Sequence, residues 1–160
     1  MEKGLLMIYE GDAQAPSLWP FGQVLRALGR GLRVCILQFA GGPLELGDLA
    51  SSNAFADRLE CRTIEPDLQS EERTSAKRKK QVTETWQSAK ELIASGRFHI
   101  VVLHCLTEVI SPDLLNPHEV GQTLSNRPEG VHVLVTGALA PRSLTDLADL
   151  VTEVNLIKEG

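Results

Sequence analysis

The chain has 160 residues, the length of a single domain that can bury a sizeable core. Hydrophobic residues make up 42% and charged residues 23%, as in ordinary globular proteins, and the net charge of -5 argues against nucleic acid as the main partner. No apolar run approaches the roughly 20 residues of a membrane helix, and no signal peptide precedes the first predicted strand. Three cysteines, an odd number, lie within or beside apolar segments and are expected to be reduced. We therefore expect one cytoplasmic domain, residues 1–160, that does not use a membrane or nucleic acid as a partner.

The first forty residues predict a strand–loop–helix–strand unit. The predicted elements are a buried strand at Leu5–Tyr9, a loop from Gly11, a helix that starts near Trp19 and ends at Gly29, and a buried strand at Val34–Phe39. The helix start is placed near Trp19 because Pro20 suits a first helical turn. Phosphate-binding α/β folds open with a unit of this kind.

The rest of the chain continues to alternate helices and strands. The predictions are a weak helix at Leu44–Leu59, a strand at Cys61–Ile64, a helix at Ser70–Ser95, a strand at Phe98–Leu106, a helix at Pro117–Leu124, a strand at Val131–Thr136, a helix at Arg142–Leu150 and a strand at Val151–Ile157. This alternation predicts an α/β fold with at least five mostly parallel strands and helices on both faces.

The loop after the first strand lacks what a phosphate-binding loop needs. Between Gly11 and Gly22 there is no Lys or Arg to meet a phosphate. Alanines stand in the middle of the loop, where glycines would let the backbone approach the ligand closely. Pro16 and Pro20 have no N–H to donate to an anion. The sequence therefore predicts a phosphate-loop fold without a working phosphate site.

Several segments in one order resemble the ATP:corrinoid adenosyltransferases of cobalamin synthesis. They are the pattern GLL-x-x-Y-x-GD, the pattern LRALG-x-GLRV-x-x-x-QF, Trp86 to Lys90, Ile100 to Leu103, Arg127-Pro128, Val135 to Gly137 and Leu147 to Glu153. The resemblance covers nearly all of the chain. It implies a P-loop NTPase-like three-layer sandwich, usually a homodimer, that moves adenosyl from ATP to a reduced cobalt corrinoid.

The departures from that family fall where it does its chemistry. The lysines of its GDGKGKTT loop fall on Gln14 and Pro16, and its magnesium-binding Thr falls on Ser17. The acidic pair that usually ends the later strand falls on His104 and Cys105. The resemblance thus implies the fold, whereas these residues predict a degenerate Walker A loop and a pseudoenzyme.

Parallel topology predicts one candidate cleft, at the carboxyl ends of the strands. Its expected residues, called the cleft residues below, are Gly11, Asp12, Trp19, Gln38, Phe39, His104, Cys105, Thr136 and Gly137. His104 and Cys105 are capable metal ligands or nucleophiles, but no neighbouring Cys or His in sequence completes a set, so no metal is expected. Trp19 either stacks on a ligand ring or fills the volume that phosphates have left.

The run Lys77–Lys80 either binds an acidic partner or is a solvated helix face, which we favour.

Three functions remain open at this point. We favour a homodimeric family relative that has lost ATP binding and catalysis, carries no resident cofactor and binds a ligand or protein partner. The alternative is an active adenosyltransferase that uses ATP, Mg²⁺ and a corrinoid through an altered nucleotide site. The third is a module for another small molecule, held by His104, Cys105 and Trp19.

Overall fold

A six-stranded, fully parallel sheet forms the centre of the computed structural model, which describes residues 3–11, 15–40, 53–62 and 75–158. The strands are β1 (Leu6–Gly11), β2 (Val34–Gln38), β3 (Leu59–Arg62), β4 (Ile100–His104), β5 (His132–Gly137) and β6 (Leu150–Val154), and the helices are α1 (Ala15–Gly29), α2 (Ser75–Ala94), α3 (Pro117–Ser125) and α4 (Arg142–Thr145). Short 3₁₀ turns lie at Asn53–Phe55 and Leu106–Val109. The strand order β3-β2-β4-β5-β1-β6 places β1 between β5 and β6.

Helices cover both faces of the sheet, as the alternating sequence pattern predicts. Because successive strand residues point to opposite faces, Leu6 and Ile8 pack into one core cluster and Tyr9 into the other. The larger cluster receives side chains from α2, α3 and α4, whereas the smaller one receives Val24 and Leu28 from α1. The prediction of a mostly parallel α/β sandwich is therefore confirmed.

A buried guanidinium joins the amino end of β1 to α3 and β6. The Arg127 side chain is 1% exposed and donates to the carbonyls of Gly4 and Leu124 and to Asp149 Oδ2, the last at 2.8 Å. Asp149 Oδ2 also accepts the Leu6 N–H at 2.7 Å, and this bond, followed by the charge of Arg127, lowers the pKa of Asp149 despite some desolvation. Two segments that carry the family resemblance, Arg127-Pro128 and Leu147 to Glu153, are thus joined by hydrogen bonds of Arg127 and Asp149, called the Asp149 clasp below.

The exposed face of α2 carries the basic run. Residues Lys77 to Lys80 are all exposed, and Lys80 lies 3.9 Å from Glu84 one turn further along the helix. This agrees with the predicted solvated helix face. Among the described residues, no helix is both long and apolar enough to cross a bilayer.

Two predicted helix boundaries are wrong. Helix α1 begins at Ala15, not near Trp19, so Pro16 lies in the first turn, where a missing N–H has no intrahelical acceptor, and Pro20 lies inside the helix. The helix predicted for Arg142–Leu150 ends at Thr145, because Asp149 joins the sheet through its N–H bond to the Leu6 carbonyl and Leu150 begins β6.

The weaker predictions in the middle of the chain are shifted or lie outside the described residues. Strand β3 is Leu59–Arg62, two residues before the predicted Cys61–Ile64, so the weak helix predicted at Leu44–Leu59 does not reach Leu59, and Asn53–Phe55 forms a 3₁₀ turn. Residues 41–52 and 63–74 lie outside the described residues. Most of the weak helix predicted at Leu44–Leu59 and the first residues of the helix predicted at Ser70–Ser95 fall on them.

Candidate functional site

The carboxyl ends of β1, β2, β4 and β5 meet at one edge of the sheet, because all strands are parallel. The Phe39 N–H donates to the His104 carbonyl at 2.9 Å, and the Gly11 N–H donates to the Ala138 carbonyl at 3.1 Å. Of the cleft residues, Asp12 and the side chain of Trp19 lie outside the described part of the chain. The others are placed by the strand ends as follows.

Thr136, at the end of β5, joins the two residues that follow the apolar run of β4. Its hydroxyl is fully buried and accepts the N–H of Cys105 at 2.9 Å. The same oxygen lies 2.9 Å from His104 Nδ1. Since the hydroxyl oxygen already accepts from Cys105, its own proton is available to donate to an unprotonated Nδ1. This arrangement holds His104 and Cys105 in fixed positions.

His104 is a neutral group in this setting. It is 5% exposed, and burial lowers the pKa of its imidazole below the usual value. The ring of Phe21, from the second turn of α1, lies against it with centroids 5.9 Å apart and planes tilted by 42°. An uncharged imidazole beside an apolar ring supplies neither the negative charge nor the oxygen ligands that Mg²⁺ prefers.

Cys105 has an unusual backbone and an unreactive thiol. Its φ of 56° and ψ of 30° lie in the left-handed region, which residues other than glycine rarely adopt. Burial, with a smaller contribution from the Glu108 carboxylate, raises the pKa of the thiol to about 11. The thiol is therefore protonated near neutral pH and is a poor nucleophile.

Two carboxylates near this edge bind the loop that follows β5. Glu108 Oε1 accepts the Ala138 N–H at 2.7 Å, and Glu10 Oε2 accepts the Ala140 N–H at 2.8 Å. Sequence reasoning missed both residues, although the position of Glu10 at the end of β1 could have marked it. Within the described residues, no group of three or more His, Cys, Asp and Glu side chains is placed to hold a metal ion.

Gly137 is enclosed by the residues around it. A Cβ built on Gly137 would lie 1.6 Å from Thr107 Oγ1, so a larger residue cannot fit without movement. The Thr107 hydroxyl is buried and has no hydrogen-bond partner among the described residues. Close packing, not an open ligand space, surrounds this end of β5.

Gln38 and Phe39 do not form an open wall of the cleft. Gln38 is 3% exposed and donates from Nε2 to the Ala40 carbonyl at 3.0 Å. Phe39 points into the larger core cluster, where its ring lies 6.4 Å from that of Trp86 between centroids. Trp86 is 2% exposed, as expected for a core residue.

A separate groove of about 200 Å³ lies between α2 and α3 and was not predicted from the sequence. On its wall, Glu119 Oε1 accepts both the Trp86 Nε1–H at 3.0 Å and a proton of Lys90 Nζ at 2.9 Å. The Lys90 hydrogen bond is the main cause of a lowered pKa at Glu119. The lysine and the carboxylate thus satisfy each other.

Comparison with known proteins agrees with this architecture. The model of the ATP:corrinoid adenosyltransferase BtuR/CobO/CobP family matches residues 2–160. The corrinoid adenosyltransferase of Escherichia coli strain K12 is 30% identical over 161 residues, with coverage of 99% of this chain and 80% of the relative. The Pseudomonas aeruginosa enzyme is 29% identical, with coverage of 99% and 78%.

A solved structure supports the fold alone. The flagellar accessory protein FlaH from Methanocaldococcus jannaschii superposes with a TM-score of 0.61 at 13% identity, covering all of this chain and 75% of its own. This likeness supports the α/β fold. Together with the match over residues 2–160, the sequence relationship to the enzymes from Escherichia coli and Pseudomonas aeruginosa places this chain in the ATP:corrinoid adenosyltransferase family.

Proposed function

We propose that this chain is a non-catalytic member of its family, a pseudoenzyme that does not use Mg-ATP and binds a ligand or a protein partner instead. The observation that carries the proposal is the end of β4. There, where the family resemblance puts an acidic pair, the chain has a buried neutral His104 and a protonated Cys105.

Among the described side chains at this edge, few oxygens are left to coordinate Mg²⁺. Mg²⁺ needs carboxylate or hydroxyl oxygens together with phosphate oxygens. The carboxylates of Glu10 and Glu108 each accept a backbone N–H of the loop after β5, and Thr136 is bound to His104 and Cys105. Recruiting the Thr136 hydroxyl to a metal would disturb its buried contacts with His104 and Cys105, at a cost of about 1–3 kcal/mol for each buried group left without a partner. The two glutamates each keep one oxygen that does not accept a backbone N–H.

Phosphate binding lacks a cation in the sequence. The segment between Gly11 and Gly22 contains no Lys or Arg. Phosphoryl and nucleotidyl sites depend on positive charge and on metal to offset the charge of the phosphates. The position of the magnesium-binding Thr keeps a hydroxyl at Ser17, but the loop lysines and both acids are lost together, and none of them is replaced nearby in sequence. This combined loss supports loss of the whole site.

The test is a direct comparison with the Escherichia coli enzyme under identical conditions. Isothermal titration with Mg-ATP should give no dissociation constant below about 1 mM for this chain. Mixing the protein with Mg-ATP and a reduced corrinoid should give no adenosylated product. Micromolar ATP affinity or product formation would refute the proposal.

A restoration series makes the test sharper. The triple variant Gln14→Lys, Pro16→Lys and Ser17→Thr returns the family pattern at three loop positions. We expect it to bind inorganic triphosphate more tightly than the parent does, because it regains a cation beside the phosphates. A matched variant with Lys at three exposed positions of α2 should not, since charge alone does not build the site.

The competing function, adenosyl transfer through an altered nucleotide site, is favoured by the match over residues 2–160. Of the functions considered, only adenosyl transfer would require ATP and a corrinoid as substrates and Mg²⁺ as the metal.

Native mass spectrometry of the purified protein tests the ligand-binding role, because a retained small ligand would appear as a fixed mass increment.

A further inference from the structure

The groove between α2 and α3 contains two cations and two anions, and only one of each is paired. Lys90 Nζ lies 2.9 Å from Glu119 Oε1, so these two charges satisfy each other. Lys79, about three turns earlier on α2, and Asp113, in the turn before α3, line the same groove. Neither of their side chains forms an ion pair or a hydrogen bond with a described residue. The groove therefore separates an unpaired cation from an unpaired anion.

Lys79 differs from its neighbours in the basic run of α2. Its side chain lines the groove together with that of Thr83, one turn further along the same helix face. Arg78 and Lys80 do not line the groove, and Lys80 lies 3.9 Å from Glu84 instead. One lysine of the run is thus directed to the groove, while the residues on either side of it belong to the solvated face.

The groove is small and has an apolar floor. Trp86 and Leu115 are buried and Leu114 is half-buried beneath it. A volume of about 200 Å³ equals the share of about six or seven water molecules in the liquid. It is below the roughly 300–1,000 Å³ of sites for drug-sized ligands, so neither ATP nor a corrinoid fits. The groove has room for a molecule of the size of an amino acid.

We propose that this groove binds a free amino acid with an uncharged side chain, its carboxylate toward Lys79 and its ammonium group toward Asp113. A simple anion at Lys79 would also face the carboxylates of Asp113 and Glu119, and a simple cation at Asp113 would face the ammonium groups of Lys79 and Lys90. Because like charges that share a site repel each other, only a ligand with both charges meets an opposite charge at each end. The apolar floor and the closed Lys90–Glu119 pair leave no partner for a charged ligand side chain.

Three probes with one side chain test the charge requirement. L-Leucine carries both charges near neutral pH, L-leucinamide carries the ammonium group alone, and N-acetyl-L-leucine carries the carboxylate alone. The readout is the NMR signal of the Trp86 indole N–H, which donates to Glu119 on the groove wall at 3.0 Å. The variant Trp19→Phe assigns that signal, because the chain has only two tryptophans. We expect leucine to bind at least about tenfold more tightly than either of the other probes.

Matched variants test the two unpaired charges. Lys79→Gln and Asp113→Asn should each weaken leucine binding by about tenfold, because each removes the partner of one end of the ligand. Lys79→Gln should also abolish the preference for leucine over leucinamide, and Asp113→Asn the preference over N-acetyl-leucine. Lys80→Gln is the control and should leave leucine binding unchanged, since Lys80 does not line the groove. All three side chains are exposed, so the free energy of unfolding should change little.

A Trp86 signal that does not move up to about 20 mM leucine would overturn the proposal. Equal affinity for the three probes, or equal losses in Lys79→Gln and Lys80→Gln, would overturn it as well. None of the cleft residues lines the groove, so these results are independent of those with Mg-ATP. Failure of leucine binding would leave the proposed loss of ATP use intact, and micromolar ATP affinity would leave the amino-acid site intact.

Discussion

Replacing Thr136 by Val tests the central connection of the candidate site. The substitution keeps the shape of a fully buried side chain and removes one hydroxyl. The Cys105 N–H then has no acceptor, and His104 Nδ1 has no partner at 2.9 Å. Each unsatisfied buried group costs about 1–3 kcal/mol, and Cys105 is only half-buried, so we expect a loss of about 2–4 kcal/mol in the free energy of unfolding.

The matched control is Thr107→Val. Its hydroxyl is also buried but has no partner among the described residues, so its removal takes away a desolvated polar atom and breaks no bond. We expect the free energy of unfolding to stay the same or to rise by up to about 1 kcal/mol. Urea unfolding at pH 7, followed by tryptophan fluorescence and circular dichroism, measures both variants. Equal losses, or a larger loss for Thr107→Val, would refute the assigned hydrogen bonds.

Three further predictions address the clasp, the packed glycine and the thiol. Asp149→Asn should lower the free energy of unfolding by about 1–2 kcal/mol at pH 7, because Arg127 loses its counter-charge; the loss is modest because Asp149 is partly exposed. Because folding lowers the pKa of Asp149, the stability that its carboxylate contributes is full above about pH 3.8 and is lost as the pH falls through the folded pKa. Urea unfolding should therefore show a difference from wild type that shrinks in acid. Gly137→Ala should lower the free energy of unfolding by about 1–3 kcal/mol, because its Cβ overpacks against Thr107. Adding Thr107→Ala should recover part of that loss, because it removes the Oγ1 atom that the Cβ would meet. A double variant without any recovery would count against the contact. Cys105 should react with iodoacetamide at pH 7.5 about a hundredfold more slowly than an unperturbed thiol, because its pKa is about 11, and fast labelling of the native protein would contradict this.

The central strands could be predicted from sequence because they are buried on both faces. Strands β2 and β4 consist of five buried residues each, and the first four of each form an uninterrupted apolar run. The sequence misplaces the edge strand β3 and the end of β6, which is predicted at Ile157 and lies at Val154, because the side chains of these strands are partly exposed and the apolar signal is weak. The short α4 was overextended because helical spacing in the sequence continues past Thr145, whereas the Asp149 clasp commits the chain to the sheet.

The candidate site was predictable in its position but not in its internal contacts. Parallel topology alone brings His104, Cys105 and Thr136 to one edge. It does not reveal that Phe39 faces the core, since the alternation of side chains along the strand, and not the position at its end, decides which face a residue takes. Nor does it reveal the roles of Glu10 and Glu108, because these carboxylates bind backbone N–H groups of a loop far away in sequence.

Phe21 provides the last test, because its ring bears on whether the end of β4 is closed to water. Burial lowers the pKa of His104, and Phe21 is the aromatic ring in contact with that imidazole among the described residues. Phe21→Ala should admit water and raise the pKa of His104 toward about 6.5. Leu25→Ala, one turn further along α1 and 42% exposed in the parent, is the control and should leave it unchanged.

Histidine ring NMR signals measured against pH report this pKa, and a His104→Gln variant assigns the signal. Stability supplies a second readout with a defined sign. Because folding lowers the pKa of His104, the unfolded chain binds the additional proton, so wild-type stability falls as the pH drops below about 6.5 and continues to fall until the folded pKa is reached. Phe21→Ala should flatten that dependence. If the pKa of His104 does not move, the sheet and Thr136 exclude water by themselves, and Phe21 has no part in closing the end of β4.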